Sequence, residues 1–184
     1  MADRILIVCH ANLCRSPMAE YLAAKLMEKL PVEVASAGTA AEDGLAMHPY
    51  AAEIAAGTGS DPAGFRSRRL RPEHLLDAGL VLTASRRQRS LCVSLAPGAL
   101  HRTFTLHQFA RLAEAAERPD DADGGVLRAA VRAAARCRGR LQPADPGADD
   151  LFDPIGGTAA DFRRCARQIE RAVLPVAALI EATG

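Results

Sequence analysis

The sequence contains no tryptophan, two tyrosines and five phenylalanines, too few ring faces for a surface that stacks a run of bases. Charge of one sign is not in excess. Lys and Arg number 23 against 22 Asp and Glu, a formal net charge of +1, so no whole-molecule field draws the chain to nucleic acid or to a membrane. No run reaches 18 apolar residues, which excludes a helical membrane span. Asp3-Arg4 lead straight into a short apolar stretch, without the basic segment, long apolar region and cleavage site of a secretory signal. The cysteines are few, odd in number and scattered (Cys9, Cys14, Cys92, Cys137, Cys165), unlike a disulfide framework. These absences point to a cytoplasmic protein with free thiols.

What is present is a 184-residue chain with 49% hydrophobic residues, enough for one domain with a real core. Ile5-Leu6-Ile7-Val8 is an aliphatic run suited to a strand buried on both faces. From Pro17 the pattern turns helical, with Met18, Tyr21, Leu22, Leu26 and Leu30 at three- and four-residue spacing and Pro17 in the first turn. Further strands are expected at 32–35, 79–83 and 103–105, and helices near 48–56, 72–76, 86–95 and 106–116. Thr158 is read as the N-cap of a long last helix with Phe162, Cys165, Ile169, Val173 and Leu174 on one face. Strands alternating with helices predict an α/β fold of three layers, a central four-stranded parallel sheet flanked by helices. Residues 117–150 differ: two Pro/Asp/Gly stretches bracket an Ala/Arg-rich segment, 126–141, read as helical. With few large apolar residues, this part is expected to lie over the surface as an insertion in a single domain.

The loop between the first strand and the first helix is Cys9-His10-Ala11-Asn12-Leu13-Cys14-Arg15-Ser16. A loop of this length at such a junction can turn successive backbone N–H groups inward as an anion nest. The helix start adds its positive end. Both favour a thiolate at Cys9. Arg15 brings a planar, permanently charged fork able to hold two phosphate oxygens at once, and Ser16 can donate to the sulfur. Thiol-based cleavage of a phosphate ester needs such a thiolate and cradle, and an acid for the leaving group.

Spacing alone does not single out this loop. Cys165 and Arg171 repeat the Cys-x5-Arg spacing, but inside the last helix, where N–H groups are already bonded to carbonyls. That cysteine falls on the apolar face and reads as structural. A zinc site built from Cys9, His10 and Cys14 lacks a second ligand pair at the usual spacing.

The stretch Val8-Cys9-His10-Ala11-Asn12-Leu13-Cys14-Arg15-Ser16-Pro17-Met18-Ala19-Glu20 closely resembles the signature of low-molecular-weight protein tyrosine phosphatases. Ser36-Ala37-Gly38-Thr39 is similar to that family's next landmark, and Asp153-Pro154 with Gly156-Gly157 to its acid loop. The resemblance implies an enzyme without a cofactor or metal, acting on a phosphorylated protein or small aryl phosphate. In it Cys9 attacks phosphorus and Arg15 binds the equatorial oxygens, within a phosphate-binding loop of His10, Ala11, Asn12, Leu13, Cys14, Arg15 and Ser16. Asn12 and Ser36 brace that loop. Asp153 protonates the leaving oxygen and then activates water. The resemblance also implies that Cys14 can form a protective disulfide with Cys9.

Four positions depart from the family pattern. Ala11 stands where Gly is usual, which costs around 1 kcal/mol if the position needs positive φ. Phe65 falls where many relatives carry a loop-bracing His. Ile155 and Gly156 replace aromatics common in tyrosine-selective members. Leu13 matches the bulky aliphatic of tyrosine phosphatases, where arginine phosphatases have Thr. Two other readings are a thiol-type arsenate reductase, for which Cys92 lacks a resolving partner, and an impaired phosphate-binding regulatory module. The arginine clusters at 66–69 and 86–89 are read as solvated faces, and His48 as a surface or capping residue.

Overall fold

Along β1 (Arg4–Cys9) the side chains alternate between two apolar layers. Ile5 and Ile7 enter one cluster, and Leu6 and Val8 the other. A strand covered on both sides needs such a continuous apolar run. The computed structural model describes residues 3–117, 124–141 and 145–183. Within them β1 pairs in parallel with β2 (Glu33–Gly38) and with β3 (Leu80–Thr83), and β3 pairs with β4 (Thr103–Thr105). The order β2-β1-β3-β4 is the four-stranded parallel sheet read from the sequence.

Helices cover both faces. Over Ile5 and Ile7 lie α1 (Arg15–Leu26), α2 (Pro49–Ala56), α5 (Leu106–Ala115), α6 (Val126–Arg136) and α7 (Ala159–Glu181). Over Leu6 and Val8 lie α3 (Pro72–Asp77) and α4 (Arg86–Leu95), through Leu75 and Cys92. Among the described residues no helix is long and apolar enough to cross a membrane.

Three details differ from the periodic reading. Helix α1 ends at Leu26, which is 41% exposed, and the buried stripe runs through Met18, Leu22, Ala23 and Met27 instead. In α7 Leu174 is 54% exposed, because one residue beyond Val173 turns about 100° away from the stripe. The third concerns residues 117–150. In their described part α6 is no surface cover: Leu127, Ala130 and Ala134 are fully buried in the main cluster. Alanine lets a helix approach its neighbours closely, so few large side chains do not prevent a core position. Residues 118–123 and 142–144 of that segment lie outside the described residues.

Because all four strands run parallel, their carboxyl ends share one edge, where ligands meet open α/β sheets. Cys9 ends β1 there. The stem that leads to Asp153 joins the same edge through Leu151 N–H, which donates to the Ala84 carbonyl just after β3 at 2.8 Å.

Candidate active site

The loop from Cys9 to Arg15 is held by its carbonyls. Thr39 N–H donates to Cys9 O, Ala40 N–H to His10 O and His48 N–H to Leu13 O, at 2.9–3.0 Å. Among the described residues, none of the N–H groups of His10 to Cys14 donates to a protein acceptor. Carbonyls turned outward and amides left to the inside make an anion cradle. Ser16 stands inside the first turn of α1 with its hydroxyl 2.9 Å from Cys9 Sγ.

The positive φ in the loop belongs to Asn12 (+56°), not to Ala11. Asparagine tolerates this region better than other non-glycine residues, so Ala11 carries no backbone cost of the kind considered above. Asn12 is fully buried and its amide is fully engaged. Its Nδ2 donates to Ser16 Oγ at 3.0 Å and to Ser36 Oγ at 2.8 Å, while its Oδ1 accepts the Arg68 N–H at 2.9 Å. Ser36 in turn donates to a Glu20 carboxylate oxygen. Burial raises the affinity of Glu20 for its proton, against the Ser36 hydrogen bond and the nearby Arg68 charge. Phe65 packs edge-on against Tyr21, with centroids 6.5 Å apart.

The guanidinium of Arg15 is nearly buried, and its Nη2 lies 2.6 Å from Asp153 Oδ2. Asp153 is half exposed. Its other oxygen accepts the Ile155 N–H at 3.2 Å, an Asx turn ahead of an exposed loop tip. Cys9, His10, Ala11, Leu13, Cys14, Arg15, Asp153 and Ile155 together line a shallow cavity of about 70 Å³. Burial, helped by the negative charges of Cys9 and Asp153 and opposed by Arg15, pushes the Cys14 thiol up to about 12. All five cysteines are free.

The family model described as low molecular weight phosphotyrosine protein phosphatase matches residues 4–126. The chain belongs to that family. Among curated relatives of this phosphatase, the protein-arginine-phosphatase of Geobacillus stearothermophilus is 41% identical over 112 residues, 59% of this chain and 72% of the relative. The probable low-molecular-weight protein-tyrosine-phosphatase EpsP of Ralstonia nicotianae is 36% identical over 113 residues, 59% and 76% of the two chains. The solved structure of the YwlE arginine phosphatase from Geobacillus stearothermophilus superposes with a TM-score of 0.71 at 29% identity, covering 97% of this chain and 92% of that one. The low-molecular-weight protein tyrosine phosphatase from T. tengcongensis gives 0.70 at 26% identity, covering 94% and 96%. The protein is therefore a cysteine-dependent phosphatase of this family.

Several residues of the site were not singled out by sequence reasoning. Arg68 is exposed, as its cluster was read to be, but it also ties the loop: its Nε donates to the Ser36 carbonyl and its N–H to Asn12. His48 caps α2, one of the two roles read for it, and beyond that it stacks on Phe162 at 4.4 Å while its N–H bonds Leu13 O. Gly38, inside a landmark already noted, lies flat against the loop. A Cβ there would meet His10 O at 2.6 Å and Asn12 N at 2.8 Å, both backbone atoms. Gly38→Ala should therefore cost about 1–3 kcal/mol of stability through overpacking and lower kcat/KM as the cradle shifts. Unfolding curves and steady-state kinetics on one preparation check this, and two unchanged values would show that the loop yields freely.

Proposed function

We propose that the protein is a phosphomonoesterase acting on phosphoproteins, a protein-tyrosine phosphatase through a phosphocysteine on Cys9. The observation that carries this reading is the Cys9 sulfur at the base of unused backbone N–H groups, with the Arg15 fork at its side. A phosphoryl group bound there takes its oxygens' hydrogen bonds from the amides of His10 to Cys14 and from Arg15. It also displaces the Asp153 carboxylate from Arg15, since both are anions for one fork.

The first step forms the S–P bond from the Cys9 thiolate and breaks the P–O bond to the leaving group, whose oxygen takes the Asp153 proton. In the second step Asp153 accepts a proton from water, the water oxygen bonds phosphorus, and the S–P bond breaks. Ser16 stabilises the thiolate as it re-forms. No step in this sequence calls on a metal or cofactor. The buried, free thiols fit the reducing cytosol in which we place the enzyme.

A cavity of about 70 Å³ holds little beyond the phosphoryl group, so the rest of the substrate rests on the rim, against Leu13 and the 59% exposed Ile155. An aliphatic Leu13 matches the tyrosine phosphatases. A second reading, an arginine phosphatase, is favoured by the 41% identical relative that bears that name. Comparing phosphotyrosine, phosphoarginine and phosphoserine peptides on one preparation decides between them: kcat/KM should be highest for phosphotyrosine, and a higher value for phosphoarginine would overturn the preference.

The acid role has its own test. Asp153→Ala should lower kcat by about 10²–10³ for phenyl phosphate, whose leaving oxygen needs a proton, and much less for p-nitrophenyl phosphate. Equal losses on both substrates would remove Asp153 from proton transfer.

A further inference from the structure

The four residues before Asp153 are all fixed, between them, to α4, α5, α7 and the end of β3. Asp149 is buried, and its two oxygens are taken by two arginines: Oδ1 by Arg111 Nη2 of α5 at 2.6 Å, Oδ2 by Arg86 of α4 through Nη2 at 2.7 Å and Nε at 2.8 Å. Asp150 Oδ1 accepts the Arg86 N–H at 2.8 Å. Leu151 N–H donates to Ala84 O at 2.8 Å, and Phe152 N–H to Gln168 Oε1 of α7 at 3.2 Å. Just ahead of this stretch, His107 Nδ1 of α5 meets the Ala148 carbonyl at 3.1 Å. Beyond Asp153 the loop is held by its own short turns and carries the exposed Ile155.

An acid that must reach a leaving oxygen is sensitive to placement, since a shift of about 1 Å can cost 10²-fold in rate. Asp153 has a half-exposed carboxyl held only by the Arg15 pair and its own turn to Ile155 N–H, and a phosphoryl group on Arg15 takes the first of these away, so its position then comes from the stem. We propose that Asp149, clamped between Arg86 and Arg111, is the positioning residue that aims the acid loop and thereby Asp153 at the leaving group. Asp149 touches neither Cys9 nor the cradle. Burial alone would raise its proton affinity, but the hydrogen bonds and charges of Arg111 and Arg86 outweigh it and hold the carboxyl below the usual range. The clamp therefore favours the charged carboxylate. The inference rests on Asp153 being the general acid.

The test is a double-mutant cycle read on two leaving groups, with Asp149→Asn, Asp153→Ala and the pair. Asp149→Asn should lower kcat for phenyl phosphate by about tenfold and for p-nitrophenyl phosphate by less than about threefold. In the Asp153→Ala background it should have no further effect on either. The rate of Cys9 alkylation by iodoacetate should stay that of the wild type. Should Asp149→Asn fail to fold, Arg111→Gln opens the same clamp from its half-exposed side and should give the same pattern. Losses that are equal on both substrates, or that add to those of Asp153→Ala, would reduce Asp149 to a residue of stability and overturn the proposal. If Asp153→Ala itself leaves the two substrates equally affected, it is the acid assignment that fails.

Discussion

Replacing Cys9 with serine should lower kcat for p-nitrophenyl phosphate by on the order of 10⁴-fold or more. In the proposed mechanism the sulfur attacks phosphorus, and a hydroxyl in its place is a far weaker nucleophile. Ser16 Oγ, 2.9 Å from Sγ, is itself a hydroxyl, and Asp153 is paired with Arg15. Serine is close to cysteine in shape, and the carbonyl ties that orient the loop come from Thr39, Ala40 and His48. The cradle should therefore survive, and inorganic phosphate should bind about as tightly as to the wild type. That combination, binding without turnover, separates loss of the nucleophile from loss of the fold. The companion variant is Cys165→Ser at the repeated spacing. Cys165 is fully buried in α7, and burial pushes its thiol up to about 12, with Arg15 opposing and Asp153, Cys14 and Cys9 adding to the rise. It is too well protonated to attack. Its replacement should cost about 1–3 kcal/mol for a hydroxyl in an apolar place and leave kcat unchanged. A dead Cys165→Ser with an active Cys9→Ser would reverse the choice between the two copies.

The fold was legible where one residue type has one physical use. Ile5 to Val8 could hardly be anything but a strand covered on both faces, and the helix starts at Pro49, Pro72 and Thr158 carry their own signals. Leu174 and Leu26 misled because a hydrophobic side chain near a stripe is easily counted into it, although one residue of rotation takes it to solvent. Helix α6 misled for the opposite reason: alanine is weak evidence of burial, yet small side chains are what let that helix pack closely.

At the site, the residues proposed to meet the phosphoryl group stand within one short segment and could be read together. The residues that hold that segment could not. Arg68 reaches Asn12 from 56 residues away, Gly38 matters for the Cβ it lacks, and the clamp on Asp149 joins residues 38 and 63 apart. Long-range support of this kind leaves no spacing to recognise. The same is true of Ala11: its place in the signature invited a backbone penalty, which the fold removes by giving the left-handed turn to Asn12.

Arg15 provides the second large effect. Arg15→Ala should lower kcat/KM by about 10²–10³-fold, the scale of losing a charged donor aimed at the transition state. A lysine should not restore it, because an ammonium is a point charge without the planar fork. The distinguishing measurement compares two inhibitors. Vanadate adopts the trigonal bipyramid of the transferring phosphoryl group, whereas phosphate keeps the tetrahedral ground state. A fork matched to equatorial oxygens contributes more to the first than to the second. Arg15→Ala and Arg15→Lys should therefore weaken vanadate by a larger factor than phosphate. The ion pair to Asp153 makes the comparison sharper. In the wild type any anion must displace the Asp153 carboxylate from the fork, and that cost disappears for both inhibitors once Arg15 is gone. What remains in the ratio is geometric fit. Equal weakening of the two would mean that Arg15 only anchors the substrate, and the rate effect would then have to appear in KM with kcat preserved.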